Sequence, residues 1–222
     1  MEAPVASTWT LDGRALPSFV AEARDFLAAS GPPALVGLAD PDPGVQRAAI
    51  YDTFALGRRD PRPLLLLRAA LRYLSEQEPL RLAIGVLTLC VGHGDIFWTP
   101  MNWIEPRIAD RVRESFDWSY DELCRLLAAA EPEEYERGSL GQNVHALVSS
   151  SDSARVARLE DVVLKAPKAS AWPALMVLVH DTGERALPLY DRLVPRSAAL
   201  HDDPAVAELR TVLVDHGSVS MY

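Results

Sequence analysis

Histidine and cysteine are the residues of this chain best suited to metal binding and nucleophilic catalysis, yet their spacing favours neither. No two histidines are four positions apart, and the two cysteines form no Cys-x-x-Cys pair, so no helix face collects two ligands. The sequence therefore predicts no metal site and no cofactor. The residues concerned are His93, His145, His180, His201, His216, Cys90 and Cys124.

Other catalytic patterns are equally weak. The chain has no Gly-rich phosphate loop and no Gly-x-Ser-x-Gly sequence, and neither cysteine has a neighbouring base. The paired acids Asp202-Asp203 and Glu133-Glu134 each lie in a predicted turn or at a predicted helix start, where carboxylates complement the helix dipole. We therefore favour a protein without catalytic activity.

The charge balance limits the classes of partner. A net charge of −9 and a pI near 5.0 disfavour attraction to nucleic acid or anionic lipid. Apolar runs such as residues 82–91 are too short to span a bilayer, and residues 1–12 do not resemble a signal peptide. Both cysteines lie in apolar runs, as buried thiols do. We expect a cytoplasmic protein without a membrane partner.

Apolar residues recur at three- and four-residue spacing through most of the chain, which predicts an all-α protein. Capping residues and prolines divide this pattern into separate helices. The predicted helices are Pro17–Ala29, Ala34–Leu38, Val45–Leu56, Arg62–Tyr73, Glu78–Val91, Glu105–Ser115, Tyr120–Ala130, Leu140–Ser149, Ser153–Leu164, Ala171–His180, Arg185–Leu193 and Pro204–His216.

Two helix pairs in residues 33–95 repeat with a period of about 35 residues. When Val45–Asp60 is aligned with Leu80–Asp95, Ala48, Thr53, Gly57 and Asp60 match identical residues, and six further pairs are apolar. The first pair turns through Asp40-Pro41-Asp42-Pro43, and Val45 opens its second helix. This pattern resembles a HEAT repeat. The resemblance implies a short right-handed α-α superhelix, a HEAT-like solenoid, formed as a single domain by residues 1–222.

The segment from Phe97 to Glu136 combines tryptophans with many carboxylates. Aromatic anchors beside acidic residues suit a protein interface, although such a cluster is also typical of a core that seals an irregular join. As partner-binding residues we predict Trp98, Trp103, Trp118, Asp117, Asp121 and Glu122. A second charged group, the arginines from Arg58 to Arg81, is interpreted as a solvated ridge rather than a phosphate site.

These features favour a non-catalytic protein–protein interaction module, either an adaptor, a regulator or a toxin-neutralising partner. The expected partner is a protein with a basic surface, and the oligomeric state stays open. The alternative is a HEAT-like alkylpurine DNA glycosylase, which the chain resembles in size and helical repetition. Such an enzyme needs a basic concave surface, which the net charge of −9 does not favour.

Overall fold

The computed structural model describes residues 35, 37–38, 40–72, 74, 77–91, 104–130, 139–149 and 152–218, without the side chains of residues 77, 91, 139 and 140. The regular structure in these ranges is helical and includes no strand, which confirms the all-α prediction. The predicted helix Pro17–Ala29 lies outside them. None of the helices that they contain is both long and apolar enough to cross a membrane.

The helices fall into two compact units, Met1–Phe116 and Asp117–Tyr222. The first unit contains α1 to α4, and the second contains α5 to α10. That residues 1–222 form a single domain stays a prediction. The helices are α1 (Pro43–Gly57), α2 (Pro61–Ala70), α3 (Gln77–Val91), α4 (Pro106–Glu114), α5 (Tyr120–Leu127), α6 (Ser139–Val148), α7 (Ser153–Lys165), α8 (Lys168–Thr182), α9 (Ala186–Leu193) and α10 (Pro204–His216).

Local capping explains where several of these helices begin and end. Asp42 accepts a 2.7 Å hydrogen bond from the Gly44 amide, and Pro43 occupies the first turn of α1. Asp203 caps α10 in the same way, and Gly217 ends it in a left-handed conformation with φ of 72°. These predicted boundaries are confirmed.

In the first unit, α1 packs against both α2 and α3. Arg47 in the first turns of α1 forms a 2.9 Å ion pair with Glu78 in the first turn of α3, so the two helices begin at the same end. The aligned residues Thr53 and Thr88 are both buried, and each donates its hydroxyl to the carbonyl four residues earlier. The two helices therefore run in the same direction, and each contains an equivalent hydrogen bond from a threonine hydroxyl to a carbonyl of its own helix.

The arginine-rich segment is not uniformly solvated. Arg62 pairs with Asp60, which caps α2, whereas Arg68 is only 6% exposed. The Arg68 Nε group donates a 3.1 Å hydrogen bond to the Ser115 carbonyl at the end of α4. The solvated-ridge interpretation is wrong for Arg68, because its aliphatic stem is buried in the α2–α4 packing while its head group binds a carbonyl.

In the second unit, α8 is the central helix. Every residue from Ser170 to Val179 is buried, and α8 packs against α5, α7 and α9. Such an all-round apolar helix needs neighbours on every side. Helix α7 also contacts α5 and α9, while α6 packs against α5 and α10 against α9.

The close approach of α1 and α2 depends on Gly57. A Cβ atom at this position would lie 2.6 Å from the Cγ atom of the fully buried Leu64. We expect Gly57→Ala to lower the free energy of unfolding by about 1–3 kcal/mol, as over-packing does, in a chemical denaturation experiment. The same substitution in a Leu64→Ala background should cost much less, because the clashing atoms are gone. An equal cost in both backgrounds would contradict this explanation.

Candidate functional site

A polar cluster lies where the C-terminal ends of α6 and α8 meet in the second unit. His145 is in the last turn of α6, while His180 and Asp181 are in the last turn of α8. The two imidazole rings are 4.7 Å apart between centroids and nearly perpendicular. Ser149, directly after α6, completes the cluster.

The carboxylate of Asp181 is the centre of this cluster. His145 Nε2 lies 3.0 Å from Asp181 Oδ1, and His180 Nδ1 lies 3.5 Å from the same oxygen. The hydroxyl of Ser149 donates a 2.7 Å hydrogen bond to Oδ2. Both carboxylate oxygens are thus engaged, which fixes the orientation of the Asp181 side chain.

The cluster is largely removed from solvent. The side chains of His145, Asp181 and His180 are 11%, 22% and 27% exposed. The Nδ1 atom of His145 is fully buried and has no hydrogen-bond partner in the described part of the chain. Since nearly all buried polar atoms in proteins are paired, this nitrogen is an exception that calls for a ligand or a proton.

The ionisation of Asp181 is governed by two opposing effects. Burial raises the pKa of this carboxyl, but the hydrogen bonds and charge of His145, with smaller contributions from Ser149 and His180, together hold the pKa below its ordinary value of 3.8. Asp181 is therefore negatively charged at neutral pH.

This arrangement is suited to attracting a cation. One ligand atom from each of His145, His180 and Asp181 lies within 4.8 Å of the others. The C-terminal ends of α6 and α8 add partial negative charge at the same place. Ser149 donates to a carboxylate and not to an imidazole, so the cluster lacks the serine–histidine contact of a nucleophilic relay.

Of the residues predicted to bind a partner, the four that the structure describes differ in exposure. Trp118 is 3% exposed, and its indole N–H donates a 2.8 Å hydrogen bond to the Leu147 carbonyl. Glu122 is 7% exposed and forms the predicted capping box with Ser119. The side chain of Asp117 is 58% exposed but pairs with Arg158.

Among the other predicted partner-binding residues, Asp121 is exposed on α5. Trp98 and Trp103 lie outside the described residues. Trp118 and Glu122 thus stabilise helix ends, and among the four described members Asp117 and Asp121 face solvent. As an interface, the set stays a prediction.

Sequence reasoning did not find the His145, His180 and Asp181 cluster because its members belong to two helices separated by α7. One signal was present, since His145 and His180 are 35 positions apart, which equals the repeat period inferred for the first unit. Residues one period apart in stacked helix pairs occupy neighbouring positions. The repeat period is inferred from residues 33–95, so the sequence analysis does not connect His145 with His180.

Comparison with known proteins identifies no relative: no family model, no curated protein and no solved structure matches the chain.

The buried carboxylate gives a test of the cluster's contribution to stability. Asp181→Asn should lower the free energy of unfolding by about 1–3 kcal/mol near neutral pH, because charged hydrogen bonds are lost. The lowered pKa means that this contribution is fully present well above pH 3.8 and is lost as pH falls through the folded-state value. Urea denaturation of the wild-type chain and of Asp181→Asn across this pH range should show that the difference between their free energies of unfolding becomes smaller in acid.

Asp202→Asn is the matched control. Asp202 pairs with His201 at 2.7 Å, but its side chain is 87% exposed. The substitution should change stability by less than about 0.5 kcal/mol at every pH. If both substitutions lowered the free energy of unfolding equally near neutral pH, the buried cluster would contribute no more to stability than an exposed ion pair does.

Proposed function

We propose that this protein is a non-catalytic protein-binding module built as a HEAT-like solenoid, a short right-handed stack of helix pairs. It would serve as an adaptor, a regulator or a toxin-neutralising partner, and its partner is a protein with a basic surface. The observation that carries the proposal is an apolar face of α1 that is exposed to solvent in the described structure.

The repeat assignment draws on the relation between α1 and α3. They lie side by side, begin at the same end, and carry the buried threonines Thr53 and Thr88 at aligned positions. Parallel neighbouring helices separated by one connecting helix are what stacked helix pairs require. Extended helical stacks of this kind expose long surfaces suited to protein recognition.

Helix α1 is apolar on two faces. Ala49, Ile50 and Thr53 are buried on one side. On the other side Val45, Tyr51 and Leu56 are 41%, 58% and 39% exposed, and the exposed Ala48 and Ala55 lie between them. Several large apolar side chains on one exposed helix face are typical of a protein contact, with Tyr51 as the aromatic anchor.

Charge indicates the chemistry of the partner. The chain carries nine more formal negative than positive charges at pH 7, and Asp52 is exposed on the apolar face of α1. Acidic surfaces steer basic partners during association. We also propose Asp117 and Asp121, which are exposed in the second unit, as contacts of a basic protein partner.

The cysteines support a binding role in a reducing, cytoplasmic compartment. Both are free thiols, and burial raises the pKa of Cys90 to about 12. Burial also raises the pKa of Cys124. Thiols that stay protonated at neutral pH are poor nucleophiles, so neither cysteine supports covalent catalysis.

A photo-crosslinking experiment tests the α1 surface. A photoreactive phenylalanine replaces Tyr51, and the protein is irradiated in its native cells. We expect a discrete adduct with a basic protein, lost when Val45→Asp and Leu56→Asp are added, because an apolar contact does not tolerate buried charge. Mass spectrometry identifies the adduct and the crosslinked site.

The same photoreactive residue at Glu208, an exposed position of α10, is the control. No adduct from Tyr51, or the same adducts from both positions, would refute the α1 surface. An adduct of twice the chain's mass would identify a second copy of the protein and overturn the basic partner.

A further inference from the structure

We propose that His145, His180 and Asp181 bind one Zn²⁺ ion between the ends of α6 and α8, each residue supplying one ligand atom. This site is independent of the α1 surface, and each can exist without the other. Two histidines and one carboxylate leave a coordination position for water, because Zn²⁺ prefers four ligands.

The donor set selects the class of metal. Imidazole nitrogens favour Zn²⁺ and neighbouring transition metals, whereas Mg²⁺ and Ca²⁺ prefer sites made of oxygen atoms. Among the residues that the structure describes, the group of His145, His180 and Asp181 is the one whose histidine, cysteine and acidic ligand atoms converge in this way. Two of its three donors are nitrogens, so a transition metal is the expected occupant.

The distances are close to those of a zinc site. With Zn–N and Zn–O bonds of about 2.0–2.1 Å, ligand atoms of a tetrahedral site are about 3.4 Å apart. Asp181 Oδ1 is 3.0 Å from His145 Nε2 and 3.5 Å from His180 Nδ1. All the ligand atoms lie within 4.8 Å of one another.

The surroundings favour a cation at this position. His145 lies in the last turn of α6, and His180 and Asp181 lie in the last turn of α8, where a helix end carries partial negative charge. His145 Nε2 and His180 Nδ1 both approach Asp181 Oδ1, so the three ligand atoms already lie next to one another.

The supporting contacts resemble those around metal ligands in general. Ser149 holds the Asp181 carboxylate through a 2.7 Å hydrogen bond. Trp118 binds the Leu147 carbonyl and so fixes the turn of α6 that carries His145. Such contacts orient ligands before the metal binds, and their loss typically weakens binding about 10- to 100-fold.

The test is a calorimetric titration with Zn²⁺, at about pH 7.5, of the full chain after a chelator has removed bound metal. We expect one ion per chain by calorimetry. At free Zn²⁺ about 100-fold above Kd, the thermal midpoint should rise by about 5–10 °C. Co²⁺ in place of Zn²⁺ should produce visible absorption bands of a four-coordinate site.

Substitutions assign the site. His180→Gln and Asp181→Asn should each weaken Zn²⁺ binding at least about 100-fold, and Ser149→Ala about 10-fold. His145→Gln should act like His180→Gln. Because His145 is buried, circular dichroism checks its fold, and the partly exposed His180 decides the result where the His145 variant does not fold.

His201→Gln is the matched control, since His201 also pairs with a neighbouring aspartate but is 46% exposed and lacks a third ligand. It should leave Zn²⁺ binding unchanged. The proposal is overturned if the wild-type chain binds no Zn²⁺, if His180→Gln and Asp181→Asn keep wild-type affinity, or if His201→Gln weakens binding as much as they do.

Discussion

Both units depend on hydrogen bonds to the carbonyl groups that end their short helices. The last four carbonyls of a helix have no partner within it, and a buried one left unpaired costs about 1–3 kcal/mol. In the first unit Arg68 donates to the Ser115 carbonyl, and in the second Trp118 donates to the Leu147 carbonyl. A side-chain hydroxyl acts in the same way where Ser197 donates to Val163, and Ser170 adds a second hydrogen bond to the Cys124 carbonyl, which already accepts from the Ala128 amide.

Each of these donors is distant in sequence from its acceptor, so the contacts specify how helices pack as well as where they end. Hydrophobic burial alone has little directional preference, whereas a hydrogen bond to one particular carbonyl fixes the register of two helices. This explains why Arg68 and Trp118 are buried. Their polar atoms are needed inside the protein, at the ends of α4 and α6.

Local signals were enough to predict the helices but not these contacts. Asp42-Pro43, the capping box at Ser119 and the Asp203-Pro204 start act within one helical turn, so sequence reveals them directly. The match of Thr53 with Thr88 also predicted equivalent environments, because a period of 35 residues connects them. A contact such as Trp118 with Leu147 has no local signature, since it exists only once α5 and α6 have packed.

The candidate site was missed for the same physical reason. Asp181 and His145 meet only when the ends of α6 and α8 approach each other, and the adjacent His180 and Asp181 of α8 do not have the spacing of a known metal-binding motif. The 35-residue spacing of His145 and His180 indicates that the two histidines are neighbours, but only if the repeat period of the first unit also applies to the second unit. Trp118 is likewise buried where its indole N–H donates to the Leu147 carbonyl of α6, and amino-acid composition does not reveal such a contact.

The junction between α6 and α8 differs from the other helix ends in one respect. Serine hydroxyls and the Trp118 indole keep their protons at every physiological pH, so the contacts at Cys124, Val163 and Leu147 have constant strength. The α6–α8 junction instead is centred on the carboxylate of Asp181, whose pKa the contacts with His145, Ser149 and His180 hold below its ordinary value. This junction therefore keeps its charge near neutral pH and weakens only in acid, while the neighbouring contact of Trp118 with Leu147 is insensitive to pH. A helix end that is held by one permanent contact and one ionisable contact loses only part of its support when the carboxylate is protonated.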